Sequence, residues 1–455
     1  MKQILLSLLV ATSFSAIAGI EHAPPSFSLR DGKVVFVDFK EAHYHITYDV
    51  KSKSAIVDSV ITFEGAEAGY PLFDLVPEAI SASLNGKTVT IAAVNDPQSS
   101  STFRIAESQI APGTHILRIR HKLETNVVFK DNSVGSGFWM SDLNDRRYLE
   151  QYLPTNLEFD QYMMKAHVKI INAESTPHVL KTNGTVTQSG VNEFHVTYPE
   201  FYTASLMYFH LLPEATLPKN VQFYYSSIDG RLIPVDIYTG YDMNTFVNAT
   251  KTILAELEND YGPFPHDQLI IYGNAPSGGM EYAGATATSL SALGHELFHS
   301  YHARGLSPAN GNSGWMDEAI ARFRDNKYPL VPALSFESTR LAGRSAYTRM
   351  TDRMAYTEGS AFLSWIAYRM SQKGLSFKGF LRDYFERFKF TTVTTELFKE
   401  ELSVAADMDL TADFNKYIYG KSGSSKKSAH LHTESEDEFH RIYSPAELQK
   451  LSFPQ

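Results

Sequence analysis

The chain has 455 residues, no cysteine, a formal net charge of −10, 29 Phe and 25 Tyr. That length suffices for two or three domains with a large core, and the acidic balance argues against nucleic acid as a partner, since phosphate binding wants a basic face. The missing cysteines exclude disulfides, a cysteine nucleophile and thiolate ligands, so a transition-metal site must be built from His, Asp and Glu.

The N-terminus, MKQILLSLLVATSFSAIAG, has one Lys, an apolar run from Ile4, and small residues at Ala16 and Ala18. This pattern predicts a secretory signal peptide over 1–18 cut after Ala18, and hence an exported, periplasmic or extracellular protein. No later stretch is long and apolar enough to span a bilayer. From about 30 to 215 the signal is strand-like. VVFVDF, HYHITYDV, AIVDSVITF, THILRIRH, MMKAHVKII and FHVTY alternate or cluster β-branched and aromatic residues, and turns at Asn85-Gly86 and Asn183-Gly184 punctuate them. They predict an antiparallel sandwich or saddle.

VQFYYSS and LIPVDIYTG open a second strand-rich passage. NTFVNATKTILAELENDYG then has helical periodicity, and DQLIIYG reads as a buried strand. From Ser291 to about Phe414 the patterns turn helical: SALGHELFHSYHARG, GWMDEAIARFRDN, GSAFLSWIAYRMSQKG and SFKGFLRDYFERFKF. Gly294, early in the first of these, suggests close packing, because glycine disfavours a helix. KSGSSKKSAHLHTESEDE, at 421–438, has the composition of a disordered or loosely attached tail, and its His430, His432 and nearby His440 read as solvated histidines before they read as metal ligands.

The chemistry concentrates in HELFH at 295–299. On a helix, His295 and His299 lie on one face a turn apart, so both imidazoles can reach one Zn²⁺. Glu296, one step round, borders the open coordination position, where a general base would take a proton from water and pass it to a leaving amine. Glu318, in WMDEAIARF, supplies a third ligand from a second helix beginning near Trp315. Two histidines, one glutamate and water make a catalytic rather than a structural zinc site, one metal per chain.

HELFH, eighteen residues, then the Glu of WMDEAIARF resembles the gluzincin aminopeptidases, the family of alanyl aminopeptidase (aminopeptidase N) and leukotriene hydrolase. SGGMEYAG at 277–284 is similar to the family's Gly-x-Met-Glu-Asn motif, and AYTEGSAFL at 355–363 to its Tyr-Glu-Lys-Gly segment. FLRDYFERFKFTTVTTELF and DFNKYIYG resemble the end of its catalytic domain. The likeness spans about 30–420 and is dense from 261 onward. Departures are Tyr282 where the family has Asn, and Ser300-Tyr301 after the second His. HSYHARGLSP is instead similar to PDZ-bearing glycyl aminopeptidases, although no PDZ domain follows here.

The resemblance implies a multi-domain α+β architecture, with a β-rich saddle or sandwich N-terminal domain before a thermolysin-like, mostly helical catalytic domain. The expected partition is 1–18 signal peptide, 19–214 β-rich domain, 215–420 zinc peptidase domain and 421–455 polar tail. It implies Zn²⁺ on His295, His299 and Glu318, with Glu296 as general base. Glu281 would bind the substrate's free α-amine, and the backbone of Gly278, Gly279 and Met280 would pair with the peptide as an added strand. Tyr356 would donate a hydrogen bond to the developing oxyanion. Glu281 also reads as an ordinary strand-end carboxylate and Tyr356 as a packed aromatic. Asp145 and Glu150 fall near the place of a second amine-binding acid.

The resulting expectation is an exported zinc metallopeptidase that removes N-terminal residues from peptides or proteins, with no nucleic-acid partner and no membrane span. The alternatives are a zinc endopeptidase or glycyl-type aminopeptidase, and a non-catalytic peptide-binding protein on the same fold. Tyr282 and the absence of a large helical domain after 420 predict an open cleft with some tolerance for long substrates.

Overall fold

The computed structural model describes residues 20–29, 32–96, 102–141, 143 and 146–421. The expected signal peptide, Asp145 and all of the polar tail but Lys421 lie outside these residues. The strand signal of the N-terminal half comes from long runs such as Asp38–Asp49 and Ser54–Gly65, whose side chains alternate buried and half-exposed along their length. Period-2 patterning of this kind fixes register, because a slip of one residue would turn the apolar set to solvent. These two strands lie inside an eight-stranded sheet, where Met163–Ile171 pairs parallel with Asp38–Asp49. Tyr44, Ile46, Val57, Phe63 and Val168 point inward to the first core. Each such side chain contributes roughly 1.5–3 kcal/mol by leaving water. A five-stranded and a four-stranded sheet complete this β-rich part.

The next unit opens with a mixed five-stranded sheet, ordered Lys219–Ser226, Leu232–Thr239, Leu269–Gly273, Ala285–Thr288 and Gly279–Tyr282. Helix α1 (Met243–Tyr261) connects its second and third strands. The Asp242 side chain caps α1 by accepting from the Thr245 N–H, and Gly262 ends it at φ 96°. The strand Gly279–Tyr282 forms one edge of the sheet, so among the described residues its outer backbone groups have no neighbouring strand. Tyr238, Tyr272 and Tyr282 from this sheet pack in the same core as the N-terminal strands.

Helices then dominate: α2 (Leu293–Phe298), α3 (Trp315–Asp325), α4 (Ser360–Ser371), α5 (Phe377–Phe388), α6 (Thr395–Ala406) and α7 (Thr411–Tyr417). They enclose a second core around Trp315, whose indole N–H donates to Thr395 Oγ1 at 2.9 Å. The architecture is the expected one, β-rich and then helical. One element differs: the helix anticipated over 291–305 stops at Phe298. The Arg304 N–H turns back to the carbonyl of His299 (2.8 Å) and that of Leu306 to Tyr301 (3.0 Å), so the chain reverses immediately after HELFH. Gly305 permits the reversal, because a Cβ there would strike the carbonyls of Ser300 and Tyr301.

Candidate active site

Helix α2 carries His295 and Glu296, and His299 is its C-terminal cap; the first turn of α3 carries Asp317 and Glu318. All five side chains are buried. The Nε2 atoms of His295 and His299 lie 3.2 and 3.7 Å from Glu318 Oε2. Two donors sharing one zinc at 2.0–2.1 Å stand about 3.3 Å apart in tetrahedral geometry, so the three sequence-predicted ligands converge as that geometry requires. The other ring nitrogens are held from behind. His295 Nδ1 meets Asp325 Oδ2 at 2.6 Å and His299 Nδ1 meets Asp317 Oδ1 at 2.5 Å. A carboxylate behind each imidazole fixes the tautomer that leaves Nε2 free for a metal. Arg324 in turn contacts Asp325 at 3.2 Å and donates to the carbonyl of Gly294 at 3.1 Å. Gly294 therefore packs against the arginine that supports this carboxylate.

Glu296 has a buried Oε2 with no hydrogen-bond partner among the described residues. Its side chain lies against Gly279, where an added Cβ would sit 2.7 Å from Cγ, Cδ and Oε1. The motif glycine is thus the surface on which the general-base candidate rests. Gly278 adopts φ 72°, a conformation suited to glycine, and its carbonyl accepts from the Ser289 N–H at 2.8 Å. Met280 is buried, and its carbonyl accepts from Thr286 Oγ1 at 3.0 Å. Glu281, 3 % exposed, brings a carboxylate oxygen within 4.8 Å of ligand atoms of Glu296 and His299. Its Oε1 accepts from Nη2 of Arg304, a guanidinium that is itself 2 % exposed. Tyr356 lies half-buried in a single wide turn (Ala355–Gly359), its ring stacked at 6.5 Å from that of His295.

The site thus gathers His295, Glu296, His299, Glu318, Gly278, Gly279, Met280, Glu281 and Tyr356. Two expectations change. Tyr282 does not shape the cleft: strand alternation turns it away from Glu281, and it packs edge-on to Tyr208 with its hydroxyl near the carbonyl of Phe138. Glu150 is no free acid. It accepts from Arg146 at 3.0 Å and from the backbone of Tyr148, inside a buried charge cluster. Asp317, Asp325 and Arg304 were not singled out from the sequence. The two aspartates had a usable signal: Asp317 abuts Glu318, and Asp325 lies two turns along the same helix. Arg304 had none, because only the reversal after His299 brings it under Glu281.

The electrostatics ask for a cation. Burial, more than neighbouring Glu281, pushes the Glu296 carboxyl up to about 8. Burial and the charge of His299 oppose protonation of His295, yet Asp325 and Glu318 raise it to about 10. Burial likewise opposes charge on His299, and Asp317 and Glu281 lift it well above the ordinary imidazole value. Protons are held where a dication would compensate the same acids. His299 Nε2 and Glu296 Oε2, which have no hydrogen-bond partner among the described residues, fit zinc together with the converging donors.

No protein-family model and no curated protein sequence matches the chain. Its fold is that of the gluzincin metallopeptidases. Among solved structures it is similar to an M1 zinc metallopeptidase from Deinococcus radiodurans (16 % identity, TM-score 0.59, covering 87 % of this chain and 96 % of that one). Aminopeptidase A from Legionella pneumophila, crystallised with aspartic acid, matches at 15 % identity and TM-score 0.62; the overlap is 87 % of this chain but 51 % of that one. Native leukotriene A4 hydrolase from Saccharomyces cerevisiae matches at 12 % and 0.62, over 87 % and 69 %.

Proposed function

We propose that the protein is a zinc aminopeptidase, exported from the cytoplasm, that removes N-terminal residues from peptides. One observation carries the reading. The His295–His299–Glu318 donor set faces a Glu296 oxygen that has no hydrogen-bond partner among the described residues, beside an edge strand that bears Glu281. Zinc held by that set would make hydroxide available at neutral pH and polarise the scissile carbonyl. The peptide adds to the free edge of Gly279–Tyr282 through its backbone. Glu281 receives the substrate ammonium, its Oε1 also accepting from Arg304 Nη2. Glu296 accepts the proton of the attacking water and returns it to the leaving amine. Tyr356, beside His295, donates to the developing oxyanion. Export is supported by the apolar run and small residues of 1–18.

The Arg304 contact favours a second reading, because a carboxylate already sharing a cation discriminates less sharply for an ammonium. In that reading the enzyme also cuts inside chains. Matched peptides with free and acetylated N-termini separate the two. Exopeptidase action cleaves only the free-amine series, and equal internal cleavage of the acetylated series means an endopeptidase. Glu296→Gln should retain about one zinc per chain and lose turnover by about 10²–10⁴-fold. An equally active Glu296→Gln protein would sink the mechanism.

A further inference from the structure

The eight-stranded sheet carries, on its outward face, a row of imidazoles that the peptidase reading does not use. His45, His167 and His195 are register partners on three adjacent strands, Asp38–Asp49, Met163–Ile171 and Glu193–Thr197. Residue alternation turns all three away from the core, whose side chains are the intervening Tyr44, Ile46, Ala166, Val168, Phe194 and Val196. Cross-strand partners stand close enough for their side chains to share a ligand. The Nδ1 atoms of His45 and His167 are 3.4 Å apart. Two nitrogens bound at 2.0–2.1 Å to one tetrahedral zinc stand about 3.3 Å apart, so this pair already has chelating separation.

The surroundings set up the same chemistry. His167 Nε2 donates to Glu193 Oε1 at 2.8 Å, which fixes the tautomer whose Nδ1 lone pair faces His45. A carboxylate behind an imidazole is the usual support of a metal-binding histidine. The third ring, His195, stacks on His167 at 4.3 Å and 9°, and one ligand atom from each of His167, Glu193 and His195 falls within 4.8 Å of the others. His195 Nε2 pairs with Ser189 Oγ at 3.1 Å on an exposed part of the sheet, and rotation about its side-chain bonds can bring a nitrogen to a shared ion. We infer that this face holds a second metal site, for a divalent cation of the zinc, copper or nickel class, with His45 Nδ1 and His167 Nδ1 as first ligands, His195 as third, and Glu193 orienting His167. Imidazole donors suit these cations and not magnesium or calcium. On binding, the proton that His45 Nδ1 shares with His167 leaves that atom, and the ring carries it on Nε2 instead.

The site is independent of the catalytic reading and is tested without it. The full-length protein is dialysed against Zn²⁺, and bound metal is counted by elemental analysis. The parent should retain one equivalent more than His45→Ala/His167→Ala. Glu193→Gln should weaken that equivalent by about 10–100-fold, as loss of an outer-shell carboxylate does. Cu²⁺ replacing zinc there should show nitrogen couplings in its electron paramagnetic resonance spectrum, and His45→Asn/His167→Gln should abolish them. Peptidase activity should be the same in parent and variants, since none of these residues lies in the catalytic cleft. A second equivalent that survives in His45→Ala/His167→Ala and vanishes in His430→Ala/His432→Ala/His440→Ala would assign it to the tail and overturn the inference. So would a parent that retains no equivalent beyond the catalytic one.

Discussion

At the scale of single residues, Gly279 shows how tightly the site is assembled. A methyl group at that Cα would meet Cγ, Cδ and Oε1 of Glu296 at 2.7 Å, and these are atoms of a flexible side chain, not of backbone. The fold can therefore accept Gly279→Ala by moving Glu296, and the proposed catalysis cannot. The expected result is near-parental thermal stability and zinc content, with kcat lowered by about 10²-fold or more, because a displaced base no longer reaches the attacking water. Parental kcat in Gly279→Ala would mean that Glu296 does not work from this position. Tyr356→Phe should lower kcat by about 10²–10³-fold with little change in KM if the hydroxyl meets the oxyanion. Equal kinetics would leave Tyr356 as packing against His295. The candidate ligands were legible because His295 and His299 sit one helical turn apart, a spacing that survives in the linear sequence. Arg304 was not, because its place beside Glu281 depends on a chain reversal that leaves no periodic trace.

Among the elements, α2 and the turn after it explain where sequence reading stopped. Helical patterning continues through SYHARG, but carbonyls of His299 and Tyr301 are claimed by N–H groups from 304 and 306, and the helix ends at Phe298. Tertiary contacts override propensity here. One such contact is His266, whose Nε2 donates to the carbonyl of Ser300 at 3.0 Å. Burial lowers its ring to about 4 against the weaker opposing effect of that bond. A folded-state value below the unfolded one of about 6.5 means stability that is complete above pH 6.5 and is lost as pH falls from there toward 4. Replacing His266 with Gln removes this titration, so the variant's deficit in unfolding free energy should shrink on acidification. By pH 5 it should be smaller than at pH 7 by about 2 kcal/mol, read from urea unfolding at the two pH values. A deficit independent of pH would show that the ring titrates as freely folded as unfolded. Asp160 has the opposite sign. Burial raises it to about 8, so its contribution is present at acid pH and fades as pH rises from about 4 to 8.

Across the whole molecule, the β-rich part and the helical part meet through the irregular segment between α3 and the turn at 355–359. Tyr347 donates to the carbonyl of Pro25 at 2.6 Å and stacks on Phe36 at 6.3 Å. Arg349 reaches across to Asp74, a buried acid in the strand-rich half. Asp74 belongs to a cluster in which Arg146 contacts Glu150 at 3.0 Å and Glu158 at 2.5 Å. Three carboxylates and two guanidiniums are therefore enclosed together, and one guanidinium comes from the other half of the chain. No spacing in the sequence announces such a cluster, since its members lie at 74, 146, 150, 158 and 349. Burial already lifts Asp74 to about 6, with Arg349 and Arg146 resisting. Without Arg349 a single guanidinium would face three buried acids, and removing one partner of such a set typically costs about 3–5 kcal/mol. Arg349→Met should accordingly lower the melting temperature by several degrees at pH 7.5. The loss should narrow toward pH 5, where Asp74 takes up a proton and no longer needs the cation. Asp74→Asn alone should be milder, and added to Arg349→Met it should restore much of the loss, giving a non-additive double-mutant cycle. Strict additivity would mean that the two halves are joined by their apolar contacts, with the ion pair adding nothing.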